Sequence, residues 1–100
     1  MKKSTLLKNM IAERKALVCP GAHDVISAKL IERAGFRACQ VSGFGLSASY
    51  LGLPDMAFLS FSEALDFSKN IIDAVEIPVM VDADTGFGNA INAMRVTEEF

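Results

Sequence analysis

Two aspartates separated by one residue, Asp82 and Asp84, follow an apolar run directly and are the first candidates for chemistry in this sequence. Residues two apart in an extended backbone point the same way, so both carboxylates would face one site. Adjacent carboxylates repel each other unless a cation lies between them, and no Lys or Arg occurs between Lys69 and Arg95. A divalent metal removes this repulsion, and hard oxygen ligands suit Mg²⁺. A purely structural alternative stays open, in which Asp84 caps a turn and Asp82 binds backbone.

Glycine-containing turns supply a second set of candidates. The segment 42–44, Ser-Gly-Phe, offers a hydroxyl and backbone N–H groups that can bind a carboxylate, although a tight turn explains the same residues. The segment 86–88, Gly-Phe-Gly, would let backbone N–H groups approach a ligand oxygen, or would form a plain turn. His23, the only histidine, is predicted to cap or pack rather than to catalyse. Cys19 and Cys39 are predicted to be core residues.

A dinucleotide-binding fingerprint is a competing interpretation of residues 43–48, which match its glycine spacing. That fingerprint must open a helix and lead to an acidic residue at the end of a strand about 20 residues later. Gly52 and Pro54 interrupt the required helix, and Glu63, at the right separation, begins a helix instead. The surrounding sequence therefore argues against a dinucleotide site.

Three short apolar runs, at 16–19, 37–42 and 77–81, are predicted strands. Each is followed by a pattern typical of a helix, and this alternation indicates an α/β fold in which helices cover a parallel sheet. Ligands bind at the carboxyl ends of the strands in such folds. We therefore expect the polar residues that follow the three runs to line one face.

Helix boundaries are marked by hydroxyl or carboxylate side chains at the start and by glycine at the end. The marked positions are Ser4 or Thr5 to about Lys15, Asp24 to Gly35, Ser60 with Glu63 as a capping box, and about Ala90 onward. Residues 46–59 are predicted to form a long connection between the second strand and the third helix.

Composition excludes several classes of protein. The 100 residues are 51% hydrophobic with a net charge of −2, which argues against disorder, and no apolar run approaches the roughly 20 residues that span a bilayer. Two cysteines are too few for a disulfide scaffold, and the N-terminus lacks a signal-peptide pattern, so a cytoplasmic setting is expected. The cations of residues 1–37 have helical spacing without interleaved aromatic residues, so no nucleic-acid partner is expected.

Four segments in order carry a resemblance to a known family. They are Pro-Gly-Ala-His-Asp at 20–24, Ser-Gly-Phe-Gly at 42–45, Leu-Gly-Leu-Pro-Asp at 51–55 and Val-Asp-Ala-Asp-Thr-Gly-Phe-Gly-Asn at 81–89. The sequence resembles the isocitrate lyase/phosphoenolpyruvate mutase superfamily over nearly its whole length. The resemblance implies a (β/α)8 barrel with a leading helix and a homotetrameric assembly. Residues 1–100 would be the N-terminal part of that single domain, about three to four βα units of a truncated chain.

The resemblance also implies a role for each candidate residue. Asp82 and Asp84 would hold Mg²⁺ or Mn²⁺, and Asp55 would support the waters of the metal. The carboxylate of a small-molecule substrate would be bound by three residues at the end of the second predicted strand: Ser42, Gly43 and Phe44. The acid and base residues of the family's gating loop would lie beyond residue 100, so no catalytic acid or base is identified.

Members of the superfamily differ in the reaction they catalyse. The leading hypothesis is a Mg²⁺-dependent carbon–carbon lyase that acts on a malate-like 2-hydroxy or 2-oxo diacid, of the 2-methylisocitrate, 2,3-dimethylmalate or oxaloacetate type, through an enolate. Gln40 stands where methylisocitrate lyases tend to carry tyrosine, which favours the dimethylmalate and oxaloacetate branch. Two alternatives stay open: phosphonate chemistry, as in phosphoenolpyruvate or carboxyphosphonoenolpyruvate mutases, and a non-catalytic oligomerising barrel.

Overall fold

The computed structural model describes residues 2–54, 56, 59–83 and 86–100. Within these residues, helices and strands alternate along the chain. In order, they are helix α1 (Lys3–Ala12), strand β1 (Gly21–Ala22), helix α2 (Val25–Arg33), strand β2 (Cys39–Val41), helix α3 (Gly43–Leu46), a π-helical turn (Ser47–Leu51), helix α4 (Phe61–Ala74), strand β3 (Val79–Val81) and helix α5 (Ala90–Glu99). No helix in this part of the chain combines the length and the apolar character that a membrane crossing requires.

The three strands form one parallel sheet in the order β1-β2-β3. Ala22, Val41 and Val81 are in register across it. Ala22 and Val41 are completely buried, and they belong to a core that also contains Ile71 from α4. One face of the sheet is therefore covered by helices, and the predicted parallel α/β class is confirmed.

The opposite face of the sheet carries the alternate residues of each strand. Gly21, Gln40 and Met80 are in register there, and all three are exposed. Successive side chains of a strand point to opposite faces, so this row and the buried row mark the two sides of the sheet.

The helix caps follow the predicted positions in the second, third and last predicted helices. The Asp24 carboxylate accepts a hydrogen bond of 2.7 Å from the backbone N–H of Ser27 at the start of α2, and Gly35 follows α2 with a φ of 94°. Ser60 and Glu63 form the predicted capping box of α4, with hydrogen bonds of 3.0 and 3.2 Å. Helix α5 begins at Ala90, as expected.

The first strand and the first helix lie elsewhere than predicted. Strand β1 begins at Gly21 rather than within 16–19, because a strand forms only where a neighbour is available for pairing. Strand β2 begins at Cys39, and the N–H of Gln40 already bonds to Pro20 at 2.9 Å, so the run 16–19 precedes the paired region. Helix α1 starts at Lys3 without a side-chain cap and ends at Ala12, short of Lys15.

The predicted connection at 46–59 contains helical structure at its beginning. The Ser42 hydroxyl caps a short helix, α3, which continues into the π-helical turn. Gly52 ends this helical stretch with a φ of 65°, a conformation that favours glycine. The Tyr50 ring stacks on Phe67 of α4, with ring centroids 4.0 Å apart, which fastens the turn to the helical layer.

The Asp24 cap generates a pH-dependent prediction. Hydrogen bonding from Ser27 holds the pKa of the Asp24 carboxyl below its ordinary value of 3.8. A carboxyl whose pKa is lower in the folded state stabilises the fold above its ordinary pKa, and this stabilisation is lost as the pH falls through the folded-state pKa. Asp24→Asn retains a capping oxygen without the charge. We expect this variant of the whole protein to be less stable by about 0.5 kcal/mol at neutral pH.

Urea unfolding at a series of pH values checks this expectation. The difference between wild type and Asp24→Asn should shrink as the pH is lowered from about 6 toward 3. A difference that stays constant over that range would contradict a contribution from the carboxylate charge.

Candidate active site

Three residues lie side by side at the carboxyl edge of the sheet: His23, Ser42 and Asp82. Each follows a residue of the in-register row Ala22, Val41 and Val81. The pairing continues past the strands, since the N–H of Ser42 donates to Ala22 O and the N–H of Asp82 donates to Val41 O, both at 3.2 Å. The three side chains therefore lie on the exposed face of the sheet, at its carboxyl edge. This is the edge at which α/β folds bind ligands.

Ser42 is fixed by its role as the N-cap of α3. Its Oγ accepts a hydrogen bond of 3.0 Å from the backbone N–H of Gly45. A serine hydroxyl that accepts one hydrogen bond still has its own proton to donate. Gly43 and Phe44 form the first turn of α3, where backbone N–H groups lack partners within the helix. Residues 42–44 thus take the form of a helical turn, and the predicted carboxylate contacts fit its beginning.

Gly45 allows α3 to lie close to the ends of β1 and β2. A Cβ atom built on Gly45 would be 3.0 Å from the Cβ of His23 and 3.3 Å from the Cβ of Ser42. Both distances are tighter than ordinary van der Waals contacts. A side chain at position 45 would therefore push α3 away from the carboxyl edge.

Asp82 lies against Gly43, which joins the predicted metal site to the predicted carboxylate site. A Cβ on Gly43 would be 2.7 Å from Oδ2 of Asp82, a separation that would force the carboxylate to move. Asp82 itself is exposed. The described structure therefore brings Asp82 together with residues 42–44. The other two predicted metal residues, Asp55 and Asp84, lie outside the described residues.

An open groove of about 350 Å³ borders this edge. It is lined by His23, Phe44, Gly45, Ala48 and Ser49. His23 neither caps α2, which Asp24 does, nor packs into the core, since its side chain is 46% exposed. Its Nε2 lies 3.2 Å from Oδ2 of Asp24. The sequence pattern favours capping or packing for this histidine, and only strand register reveals its place beside Ser42.

The two cysteines have a structural role and are not part of the candidate site at the carboxyl edge. Cys39 is buried on the helix-facing side of β2, and Cys19 is half-buried. Burial raises the pKa of both thiols, so both are protonated at neutral pH. The predicted core role is confirmed for Cys39.

The chemistry of the edge suits a hard divalent cation. Asp82 supplies carboxylate oxygens, the ligand type that Mg²⁺ takes together with waters, and the absence of a side chain on Gly43 leaves room for that carboxylate. Among the residues that the structure describes, no three His, Cys, Asp or Glu side chains gather as a metal-binding group. The Asp82 carboxylate therefore fits Mg²⁺ as one ligand of several that a magnesium site needs.

Comparison with known proteins shows which family this chain resembles. A family model described as phosphoenolpyruvate phosphomutase matches residues 7–99. The chain is 43% identical over 100 residues to 2,3-dimethylmalate lyase of Eubacterium barkeri, covering 100% of this chain and 35% of that protein. It is 39% identical over 92 residues to 2-methylisocitrate lyase of Halalkalibacterium halodurans (strain ATCC BAA-125 / DSM 18197 / FERM 7344 / JCM 9153 / C-125), covering 92% and 30%.

A solved structure shows the same fold. The crystal structure of a phosphonopyruvate hydrolase complex with oxalate and Mg²⁺ superposes with a TM-score of 0.93 at 40% identity, covering 99% of this chain and 35% of that one. The parallel strands with intervening helices define an α/β protein, as found in consecutive units of a (β/α)8 barrel. The chain belongs to the phosphoenolpyruvate mutase/isocitrate lyase superfamily. It spans about a third of the length of these relatives.

The contact between Gly43 and Asp82 leads to a direct prediction. Gly43→Ala should displace the Asp82 carboxylate and weaken Mg²⁺ binding by the whole protein about tenfold, which corresponds to about 1.4 kcal/mol. Isothermal titration calorimetry with MgCl₂ measures this effect.

Gly21→Ala is the matched control, because a Cβ at that position would meet only Ser42 Cβ at an ordinary 3.7 Å. We expect this variant to bind Mg²⁺ like the wild type. Equal Mg²⁺ affinities for the two alanine variants would show that the close approach at Gly43 has no bearing on the site.

Proposed function

We propose that the protein containing this chain is a Mg²⁺-dependent carbon–carbon lyase that cleaves a malate-like 2-hydroxy or 2-oxo diacid. The observation that carries this proposal is the contact of the Asp82 carboxylate with Gly43, next to the Ser42 hydroxyl, at the carboxyl edge of the sheet. A group proposed to ligate the metal would thus lie beside hydrogen-bond donors suited to a carboxylate. The similarity to 2,3-dimethylmalate lyase supports the reaction class.

Each proposed site residue has a distinct part in the proposed reaction. Asp82 and Asp84 hold the cation, and Asp55 supports its waters. When bound, Mg²⁺ supplies Lewis-acid stabilisation of the negative charge that develops on the substrate oxygens as the bond breaks. The Ser42 hydroxyl and the backbone N–H groups of Gly43 and Phe44 bind the substrate carboxylate and orient it beside Asp82.

The substrate is proposed to be a diacid of the 2,3-dimethylmalate or oxaloacetate type, or the related hydroxy acid 2-methylisocitrate, which carries a third carboxylate. Gln40 lies two residues before Ser42 on the same face of β2, in register with Met80 of β3. Its exposed amide offers hydrogen bonds next to the substrate edge, whereas the Met80 side chain offers an apolar surface. This mixture suits a diacid that carries methyl groups and favours the dimethylmalate type.

Phosphonate chemistry is the second candidate function. It is favoured by the TM-score of 0.93 and the 40% identity to the phosphonopyruvate hydrolase complex with oxalate and Mg²⁺, and by the phosphoenolpyruvate phosphomutase family model. A phosphonate and a diacid would share the same carboxylate contacts at residues 42–44. Phosphorus NMR with phosphonopyruvate distinguishes the two candidates, because only phosphonate chemistry changes the phosphorus signal.

We further propose that residues 1–100 form the N-terminal part of a single (β/α)8 barrel. Within the described residues, β1 and β3 each pair only with β2, so both outer edges of the sheet have room for another parallel strand. Two of the helices carry exposed apolar side chains: Ile26 and Leu30 on α2, and Ile91 and Met94 on α5. Neighbouring βα units would cover these surfaces. A homotetramer in the cytoplasm completes the proposal.

Replacement of Asp82 tests the proposed metal role. In the whole protein, Asp82→Ala and Asp82→Asn should lower kcat/KM about 10²-fold or more, because charge stabilisation at the reacting oxygens is lost. Consumption of 2,3-dimethylmalate, oxaloacetate or 2-methylisocitrate, followed by proton NMR, provides the rates. Asp66→Asn makes the same chemical change at an exposed position of α4 and should leave the rates unchanged.

Metal removal gives an independent check of the same proposal. EDTA should abolish turnover, and excess Mg²⁺ should restore it. Turnover that persists in EDTA would overturn the proposed mechanism. Failure of the wild-type protein to bind Mg²⁺ in calorimetry would favour the non-catalytic barrel.

The proposed domain organisation leads to a prediction for the isolated residues 1–100. This polypeptide should be inactive and poorly soluble, because open strand edges and exposed apolar helix faces promote association. Sedimentation velocity should show heterogeneous large species. A monodisperse, well-folded monomer would contradict the assignment of these residues to part of a barrel.

A further inference from the structure

Phe87 has a backbone conformation that side chains other than glycine rarely adopt. Its φ is 60°, and the residues on both sides, Gly86 and Gly88, also have positive φ angles of 91° and 155°. A bulky residue in the left-handed region is disfavoured by contact between its Cβ and the backbone. Such a conformation persists only where the surrounding structure enforces it, and it is concentrated at functional sites.

The Phe87 ring is fixed by an aromatic contact across the fold. Its centroid lies 5.9 Å from that of Phe61, with the ring planes tilted by 38°, within the range of favourable aromatic pairs. Phe61 is the first residue of α4 and is followed two residues later by the capping-box residue Glu63. The Phe87 ring therefore packs against the capped first turn of α4.

The two glycines beside Phe87 press the same turn against α5. A Cβ on Gly86 would be 2.7 Å from the Cβ of Ala93, and a Cβ on Gly88 would be 2.6 Å from Oδ1 of Asn92. Asn92 in turn accepts a hydrogen bond from the N–H of Asn89 in the capping box of α5. The turn is thus held between the beginnings of two helices, α4 and α5.

The turn connects directly to the carboxylate of the proposed metal site. The N–H of Gly86 donates to the carbonyl of Ala83 at 3.0 Å. Ala83 follows Asp82, whose own N–H is bound to Val41 of β2. Asp82 is therefore fixed by the sheet on one side and, through Ala83 and Gly86, by the Phe87 turn on the other.

We propose that Phe87 is a positioning residue for the metal site. Its ring, seated against Phe61, fixes the left-handed turn whose Gly86 N–H binds the carbonyl of Ala83, the residue after Asp82, and so helps to present that carboxylate for Mg²⁺. The proposal rests on the proposed function, because it concerns the same cation site. It assigns a role to the central residue of the Gly-Phe-Gly segment, which the sequence left as either a ligand-facing loop or a plain turn.

Three substitutions in the whole protein separate the ring contact from the backbone conformation. Phe87→Ala removes the ring and keeps the strained Cβ, Phe87→Gly removes the ring and the strain, and Phe87→Tyr keeps the ring. Calorimetry with MgCl₂ measures the metal affinity of each variant, and thermal unfolding without metal measures stability. We expect the alanine and glycine variants to bind Mg²⁺ at least about tenfold more weakly, and the tyrosine variant to bind like wild type.

The glycine variant is the decisive one. If the ring positions the site, this variant unfolds at or above the melting temperature of the alanine variant and still binds Mg²⁺ weakly. Phe61→Leu, which removes the partner ring, should weaken Mg²⁺ binding in the same direction. Wild-type affinity in a folded Phe87→Gly variant would overturn the positioning role alone. Absence of Mg²⁺ binding in the wild-type protein would overturn the proposed function, and the positioning role with it.

Discussion

Parallel pairing of β2 with a strand on each side is the constraint on which the remainder of the structure depends. Its register sets Ala22, Val41 and Val81 in one row on the helix-facing side. Because that row packs against the helices, the residues that alternate with it along each strand lie on the other face of the sheet. The same register places His23, Ser42 and Asp82 next to one another at the carboxyl edge. A shift of one residue in either pairing would turn Ser42 or Asp82 toward the helices and dismantle the candidate site.

Small residues make this edge usable for binding. Gly43 allows the Asp82 carboxylate to approach α3, and Gly45 allows α3 to lie over the ends of β1 and β2. At the far end of the Asp82 segment, glycines on both sides of Phe87 allow close contact with α5. The result is a cluster of polar groups held by backbone contacts on several elements, the type of support that an electrostatic site needs to stay in place during a reaction.

The relatives that this chain resembles are named for different reactions. The names of the relatives include a 2,3-dimethylmalate lyase, a 2-methylisocitrate lyase and a phosphonopyruvate hydrolase. The carboxylate contacts and metal residues proposed here would serve what these substrates have in common. Gln40 and Met80 lie on the corresponding face of the sheet, and their proposed role is to contribute to discrimination between such substrates.

Local sequence determined most helix boundaries of this protein and suggested its chemistry. The capping residues Asp24, Ser60 and Glu63 act within a few residues of themselves, so their roles were predictable and are confirmed. The alternation of apolar runs with helices was likewise sufficient to predict a parallel α/β fold. The resemblance of four ordered segments identified the superfamily, to which the chain belongs. The metal roles of Asp55, Asp82 and Asp84 and the carboxylate contacts of residues 42–44 stay predictions.

Tertiary structure decided what depends on partners distant in sequence. Strand β1 lies at Gly21–Ala22 because that is where β2 offers a partner, a fact that the apolar run at 16–19 could not reveal. The place of His23 beside Ser42, the contact of Gly43 with Asp82 and the aromatic pair of Phe61 and Phe87 each join residues that are at least 19 positions apart. Sequence patterns report the local preferences of the backbone, whereas these contacts exist only once the register of the sheet has set the distances between its strands.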